Sequence, residues 1–323
     1  MIIEAPKRRP PFITLLGEPG LGKTTLACMF PDPIIIRLED GIESVPEQFK
    51  PSIMPVVTTF AELDAQIRWV FAKRKEHKRK TIIIDSITKA ESMLEQHLID
   101  TDPNKPQSIN QACGGYGAGP KALGGLHGYF KKLLDHANKA GDMTIVVIAH
   151  AATDTVEPPD GENYSRYVLR LGKHSMAPWV DDVDLVGFLR LQQTVRGAKE
   201  GNAKGIGAKA GKVLSGGVRE LVCHTAAANV SKNRFGIRDA IEIPDPMDNP
   251  KVPNPLLALI PYYVENGLAV APEKPKEVEP EPEPEPEQQH TPDLNTEMAD
   301  GDDYSDAPSR SDVEPMDDDG PAI

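Results

Sequence analysis

Between a short apolar stretch, Phe12-Ile13-Thr14-Leu15-Leu16, and a run with helical periodicity that begins at Lys23 lies Gly17-Glu18-Pro19-Gly20-Leu21-Gly22-Lys23-Thr24. The segment satisfies G-x-x-x-x-G-K-[ST] at every constrained position, and it restricts the possible folds more than any other part of the 323-residue chain. Its glycines let successive backbone N–H groups turn inward around phosphate oxygens, while the following helix offers the positive end of its dipole to the same anion. A strand must deliver such a loop and a helix must leave it. The alternative is a glycine-rich turn before an ordinary helix, which leaves the match at both flanks unexplained. Read as a phosphate loop, residues Gly17, Glu18, Pro19, Gly20, Leu21, Gly22 and Thr25 surround the phosphates of a nucleotide. Lys23 then reaches the β and γ phosphates, and Thr24 ligates Mg²⁺ through its hydroxyl.

The remainder repeats the strand-then-helix rhythm. Short β-branched runs at residues 12–16, 33–38, 81–85, 143–149, 183–191 and 219–223 read as strands, and amphipathic stretches at 23–30, 61–76, 86–99, 121–140 and 255–266 as helices. The pattern predicts an α/β fold with a mainly parallel central sheet flanked by helices. Residues 100–120, 152–173 and 196–217 resist it, and loops this long inside a compact domain are usually functional.

Charge divides the chain in two. Residues 272–323 hold 18 acidic and 3 basic side chains, so that stretch carries −15 of a total of −13, and residues 1–271 come out near +2. The tail starts with Glu-Pro alternation and has almost nothing apolar to bury, which predicts a disordered, extended segment after a single folded domain at 1–271. Cys28, Cys113 and Cys223 show neither paired nor metal-ligand spacing, so a reducing cytoplasm is expected. No apolar run approaches the roughly 20 residues that a membrane-spanning helix needs.

Further candidates sit at strand ends. Thr81-Ile82-Ile83-Ile84-Asp85-Ser86 is an apolar strand that delivers Asp85 to the sheet edge where phosphate and Mg²⁺ would lie, the Walker B arrangement. Glu39, in Ile34-Ile35-Ile36-Arg37-Leu38-Glu39-Asp40-Gly41, is either part of a surface turn or a carboxylate that activates the attacking water. His150 closes the strand Thr144-Ile145-Val146-Val147-Ile148-Ala149 and is either a satisfied polar residue or a sensor of the terminal phosphate. In Ser231-Lys232-Asn233-Arg234-Phe235-Gly236, two cations two residues apart leave an extended backbone on one side. They suit a finger inserted into a neighbour's site, or else form a solvated basic turn. Asn138-Lys139-Ala140-Gly141-Asp142 is one residue too long for the guanine-reading motif, so adenine is expected.

Together these elements resemble the RecA-type branch of P-loop ATPases, and within it the phage-encoded RecA-like ATP-binding proteins of single-strand annealing and recombination. In that branch the catalytic glutamate follows the second strand, as Glu39 does, and the Walker B strand commonly ends Asp-Ser, as Asp85-Ser86 does. Lys232-Asn233-Arg234-Phe235-Gly236 is similar to a segment of RadA-type helicases whose Lys and Arg complete the site of the adjacent subunit, which implies a homo-oligomeric ring or filament. Two loops after the Walker B and sensor strands contact DNA in such proteins. Tyr116 in the first, and Tyr164, Arg166, Tyr167, Arg170 and Lys173 in the second, are the corresponding candidates for stacking on bases and neutralising phosphates of single-stranded DNA. Lys204, Lys209 and Lys212 lie in a glycine-rich stretch that either touches phosphates or is merely solvated. The acidic tail resembles those with which single-stranded-DNA-binding proteins recruit replication partners. A ring-shaped helicase or motor, and a nucleotide-switched interaction protein without a DNA role, remain as alternatives.

Overall fold

A computed structural model describes residues 7–195, 213–224, 228–247, 249 and 251–271. One compact unit spans Met1–Glu273, and the description concerns that unit. The acidic tail and Lys204, Lys209 and Lys212 lie outside the described residues.

In chain order the unit runs β1 (Phe12–Gly17), α1 (Lys23–Cys28), β2 (Pro33–Arg37), β3 (Ser52–Ile53), α2 (Phe60–Ala72), α3 (Arg74–His77), β4 (Thr81–Asp85), α4 (Ile87–Thr101) and α5 (Ala118–Gly141). There follow β5 (Thr144–Val156), β6 (Tyr164–Leu169), α6 (Ala177–Val180), β7 (Leu185–Val195), β8 (Val213–Val222), β9 (Lys232–Asn233), β10 (Ile241–Ile243), α7 (Pro255–Leu259) and α8 (Pro261–Glu265). The strands form one mixed sheet in the order β10-β8-β7-β1-β5-β4-β2-β3, with β6 paired to β5 and β9 to β7. From β7 across β1, β5, β4 and β2 to β3 the pairing is parallel. The strand that leads into the phosphate loop is thus separated from the strand of Asp85 by β5, the arrangement of a RecA-like core.

Because side chains alternate along a strand, continuous apolar runs are what a sheet covered on both faces requires. Phe12, Leu16, Ile82, Ile84, Ile145 and Val147 pack on one face against α2, α4 and α5. Ile13, Leu15, Ile83, Val146 and Ile148 pack on the other, where Leu26 and Ala27 of α1 meet them. Helix α2 starts with a capping box, in which Thr59 accepts from Glu62 N while the Glu62 side chain accepts from Thr59 N. Among the described residues, no helix is long and apolar enough to cross a membrane.

Two expectations need correction. Residues 152–173 are not an irregular loop: β5 continues past the sheet edge and pairs antiparallel with β6, Ala151 opposite Leu169 through Val156 opposite Tyr164. Pro158-Pro159-Asp160-Gly161 supplies the turn chemistry, and period-2 alternation in β6 places Tyr167 and Leu169 against the core. The expected helix at 255–266 is two helices, α7 and α8. Pro261 has no N–H to continue α7 and drives Ile260 into an extended conformation at φ −94° and ψ 113°.

Candidate active site

The phosphate loop rises from the carboxyl end of β1. Gly17 must be glycine because a Cβ there would stand 2.6 Å from the Leu189 carbonyl oxygen on β7. Gly22 has φ +85°, and a Cβ on it would fall 2.5 Å from an Arg219 guanidinium nitrogen, so strand β8 braces the loop from the side. That guanidinium donates to Leu21 O at 3.3 Å and Pro244 O at 2.8 Å, and lies 3.7 Å from Asp245. No motif or spacing pointed to Arg219, since it enters the site only through the pairing of β8 with β7.

Lys23 is 5% exposed, and its ammonium donates to Gly17 O at 3.0 Å and Glu18 O at 2.7 Å. Burial lowers its pKa to about 8, although the nearby Asp85 and Glu39 carboxylates act in the opposite direction. A bound triphosphate returns negative charge to that ammonium and restores its proton. Nucleotide binding above pH 8 should therefore take up a proton, and the dissociation constant should rise with pH, by at most about tenfold per unit. Calorimetry at pH 8.5 in buffers of different ionisation enthalpy measures this directly; a binding enthalpy independent of buffer counts against the assignment.

Asp85 ends β4 and accepts from the Thr24 hydroxyl at 2.7 Å. Burial raises its pKa, opposed by that hydrogen bond. This pair of hard oxygen donors beside the phosphate loop fits Mg²⁺, which takes one or two protein oxygens and completes its shell with phosphate and water. Among the described residues no cluster of three or more His, Cys, Asp or Glu side chains is arranged to hold a metal by protein ligands alone.

Glu39 stands just beyond β2, where Leu38 N donates to Asp85 O at 2.7 Å and ties the two strand ends together. Its Oε1 accepts from the Ser86 hydroxyl and lies 3.4 Å from His150 Nε2. The His150 hydrogen bond, supported by Ser86, outweighs burial and holds the carboxyl at a pKa of about 2. Oε2 has no hydrogen-bond partner among the described residues. One oxygen is anchored and the other is available to water, which a surface turn does not explain. Ser86 also caps α4, accepting from Lys89 N at 3.2 Å. His150 is in register with Gly17, and its backbone N–H donates to Thr88 Oγ1 at 2.9 Å.

These groups line a cleft of about 450 Å³ whose far wall holds Arg219, Asp245 and Met247. A second, larger groove of about 1630 Å³ shares Glu39, Asp40 and His150 with it, and runs between the β5–β6 hairpin and α4. Arg166, Arg170 and Lys173 line this groove. Tyr167 does not: it leaves the opposite face of β6 and stacks on Phe188 with ring centroids 4.8 Å apart, so it is a core residue rather than a base-stacking one. Tyr164 shares the Arg166 face at the distal end of the hairpin, and Tyr116 is fully exposed at φ +49° outside the groove lining.

Lys232 and Arg234 are nowhere near the phosphate loop of their own chain. Lys232 donates to Asp181 O, and Arg234 lies 3.1 Å from Asp184, which also accepts from Phe12 N at the start of β1. They thus sit at the opposite end of β1 from Gly17, about 16 Å along the strand at about 3.3 Å per residue.

A glycine-rich loop with a buried lysine, a Thr–Asp pair of hard oxygen donors and an anchored glutamate, carried on a RecA-like sheet, define a P-loop ATPase. The chain belongs to a family described as AAA domain (AAA_24), whose model matches residues 9–235. In this chain position 86 is serine, and the carboxylate that stands beside it is Glu39, just beyond β2. Among solved structures, a KaiC-like protein from the hyperthermophilic archaeon Pyrococcus horikoshii OT3 is similar at 13% identity and a TM-score of 0.36, covering 73% of this chain and 90% of that one. The comparison with curated proteins finds no match.

Proposed function

We propose that this ATPase hydrolyses MgATP and acts on single-stranded DNA during recombination or replication, of the kind carried out by phage annealing systems. The observation that carries the reading is the sharing of Glu39, Asp40 and His150 between the nucleotide cleft and the larger groove. Occupancy of the groove and orientation of the attacking water then depend on the same side chains.

In the mechanism, Lys23 and the loop N–H groups hold the phosphates; Thr24 and Asp85 would hold Mg²⁺, and the ion would supply positive charge for the phosphate oxygens. Glu39 Oε2 accepts the proton of the water that attacks the γ phosphorus, while Ser86 and His150 keep Oε1 fixed. Arg166 and Lys173 are placed to neutralise strand phosphates in the groove, and the buried Arg166 Nε has no partner among the described residues. Lys232 and Arg234, at the opposite end of β1 from their own phosphate loop, would act only on a neighbouring subunit's nucleotide, so a homo-oligomer is part of the proposal. The test is steady-state hydrolysis with and without single-stranded DNA at two salt concentrations. Stimulation of at least about fivefold that weakens with salt is expected; a rate indifferent to DNA removes the nucleic-acid part of the proposal and favours a nucleotide-switched interaction protein.

A further inference from the structure

The root of the β5–β6 hairpin sets a cation beside His150, at the boundary between the nucleotide cleft and the larger groove, and neither the motif pattern nor the family match assigns it a nucleotide role. Arg170 follows β6, and its backbone N–H donates to His150 O at 2.8 Å, one step beyond the pairing of Ala151 with Leu169. His150 and Arg170 are therefore cross-strand neighbours, and directly opposed residues of an antiparallel pair point to the same face. His150 is in turn in register with Gly17 on β1. Gly17, His150 and Arg170 form one row across three strands at the carboxyl edge of the sheet. By alternation along β5, the face is that of Val146 and Ile148, on which α1 packs.

Arg170 differs from the arginines beside the phosphate loop and the end of β2. Arg219 has Asp245 and Arg37 has Asp40. The Arg170 guanidinium is exposed and has no hydrogen bond or ion pair among the described residues. Its cross-strand neighbour His150 lines both the nucleotide cleft and the larger groove, so this cation stands at the boundary between the two. A guanidinium without a carboxylate partner is a ready donor to a multiply charged anion.

We infer that Arg170 is a ligand of the ATP γ phosphate supplied by the same chain, and that through it the β5–β6 hairpin senses whether the terminal phosphate is present. Arg170 also lines the larger groove, so movement of its guanidinium towards the nucleotide changes the groove wall. This changes the sequence-based assignment of Arg170 from a DNA contact to a nucleotide contact. The inference rests on the ATP-binding part of the proposed function and not on its DNA part.

The experiment measures binding of fluorescent mant-ADP and of a non-hydrolysable mant-labelled triphosphate, each with Mg²⁺, to the full chain and to Arg170→Ala and Arg170→Lys. Arg170→Ala should weaken the triphosphate about 10- to 100-fold, the worth of a charge-assisted hydrogen bond, and leave the diphosphate within about twofold. Arg170→Lys, which keeps the charge and disturbs packing least, should fall between, and it carries the test if alanine lowers the folded fraction in a thermal melt. Equal weakening of both nucleotides, or no change in either, overturns the inference. Binding of neither nucleotide by the wild type would overturn the ATP reading itself, a result distinguishable from failure of Arg170 alone.

Discussion

Replacing Glu39 with glutamine is expected to lower kcat by about 10²- to 10⁴-fold, the usual contribution of a positioned general base. The dissociation constant for MgATP should stay within about twofold. Glutamine keeps the shape and can still meet Ser86 and His150 through its amide, so the geometry around Oε1 survives while the proton acceptor at Oε2 is lost. The carboxylate is held at a pKa of about 2 by the His150 and Ser86 contacts, so the acidic limb of the wild-type rate should not come from Glu39 at any pH above about 3. Single-turnover hydrolysis measures the effect without interference from product release. A loss smaller than tenfold would transfer the base role to another group and return Glu39 to its turn.

The second large effect is that of Lys23→Met. Methionine approximates the buried aliphatic stem but cannot reach the β and γ phosphates, so two charge-assisted contacts worth about 1.5–3 kcal/mol each disappear. Binding of the triphosphate should weaken by at least about 100-fold, and hydrolysis should fall to background. The same variant should abolish the proton uptake above pH 8. Folding stability should change little, because a buried ammonium with a depressed pKa costs desolvation that its two carbonyl partners only partly offset. Retained pH-dependent affinity in Lys23→Met would show that another group is responsible for the proton linkage.

Much of the core was legible from residue order because its signals are local. The strands at β1, β2, β4 and β5 are runs of isoleucine, valine and leucine bounded by turn residues, and each element is specified within a few positions. Legibility ended where a segment's partner lies far along the chain. The hairpin β5–β6 reads as a loop in the sequence because a long strand that leaves the sheet has charged residues on one face, which weakens the apolar signal. Tyr167 looked suitable for stacking on a base, but one step of alternation turns it onto Phe188 instead.

The phosphate loop, by itself, determined that the chain carries the elements of a phosphate cradle, since glycine backbone freedom, a helix N-terminus and a lysine at fixed spacing are all encoded in eight consecutive residues. The ends of β2, β4 and β5 likewise offered Glu39, Asp85 and His150 as candidates. Only the tertiary structure brought them together. It did so because β1, β5, β4 and β2 lie side by side, which brings residues 17, 39, 85 and 150 to one edge and joins Glu39 to Ser86 and His150. Arg219 reaches the phosphate loop, and Arg170 the wall of the adjoining groove, through antiparallel pairings whose register is set by packing and turn geometry, over separations that no local pattern spans.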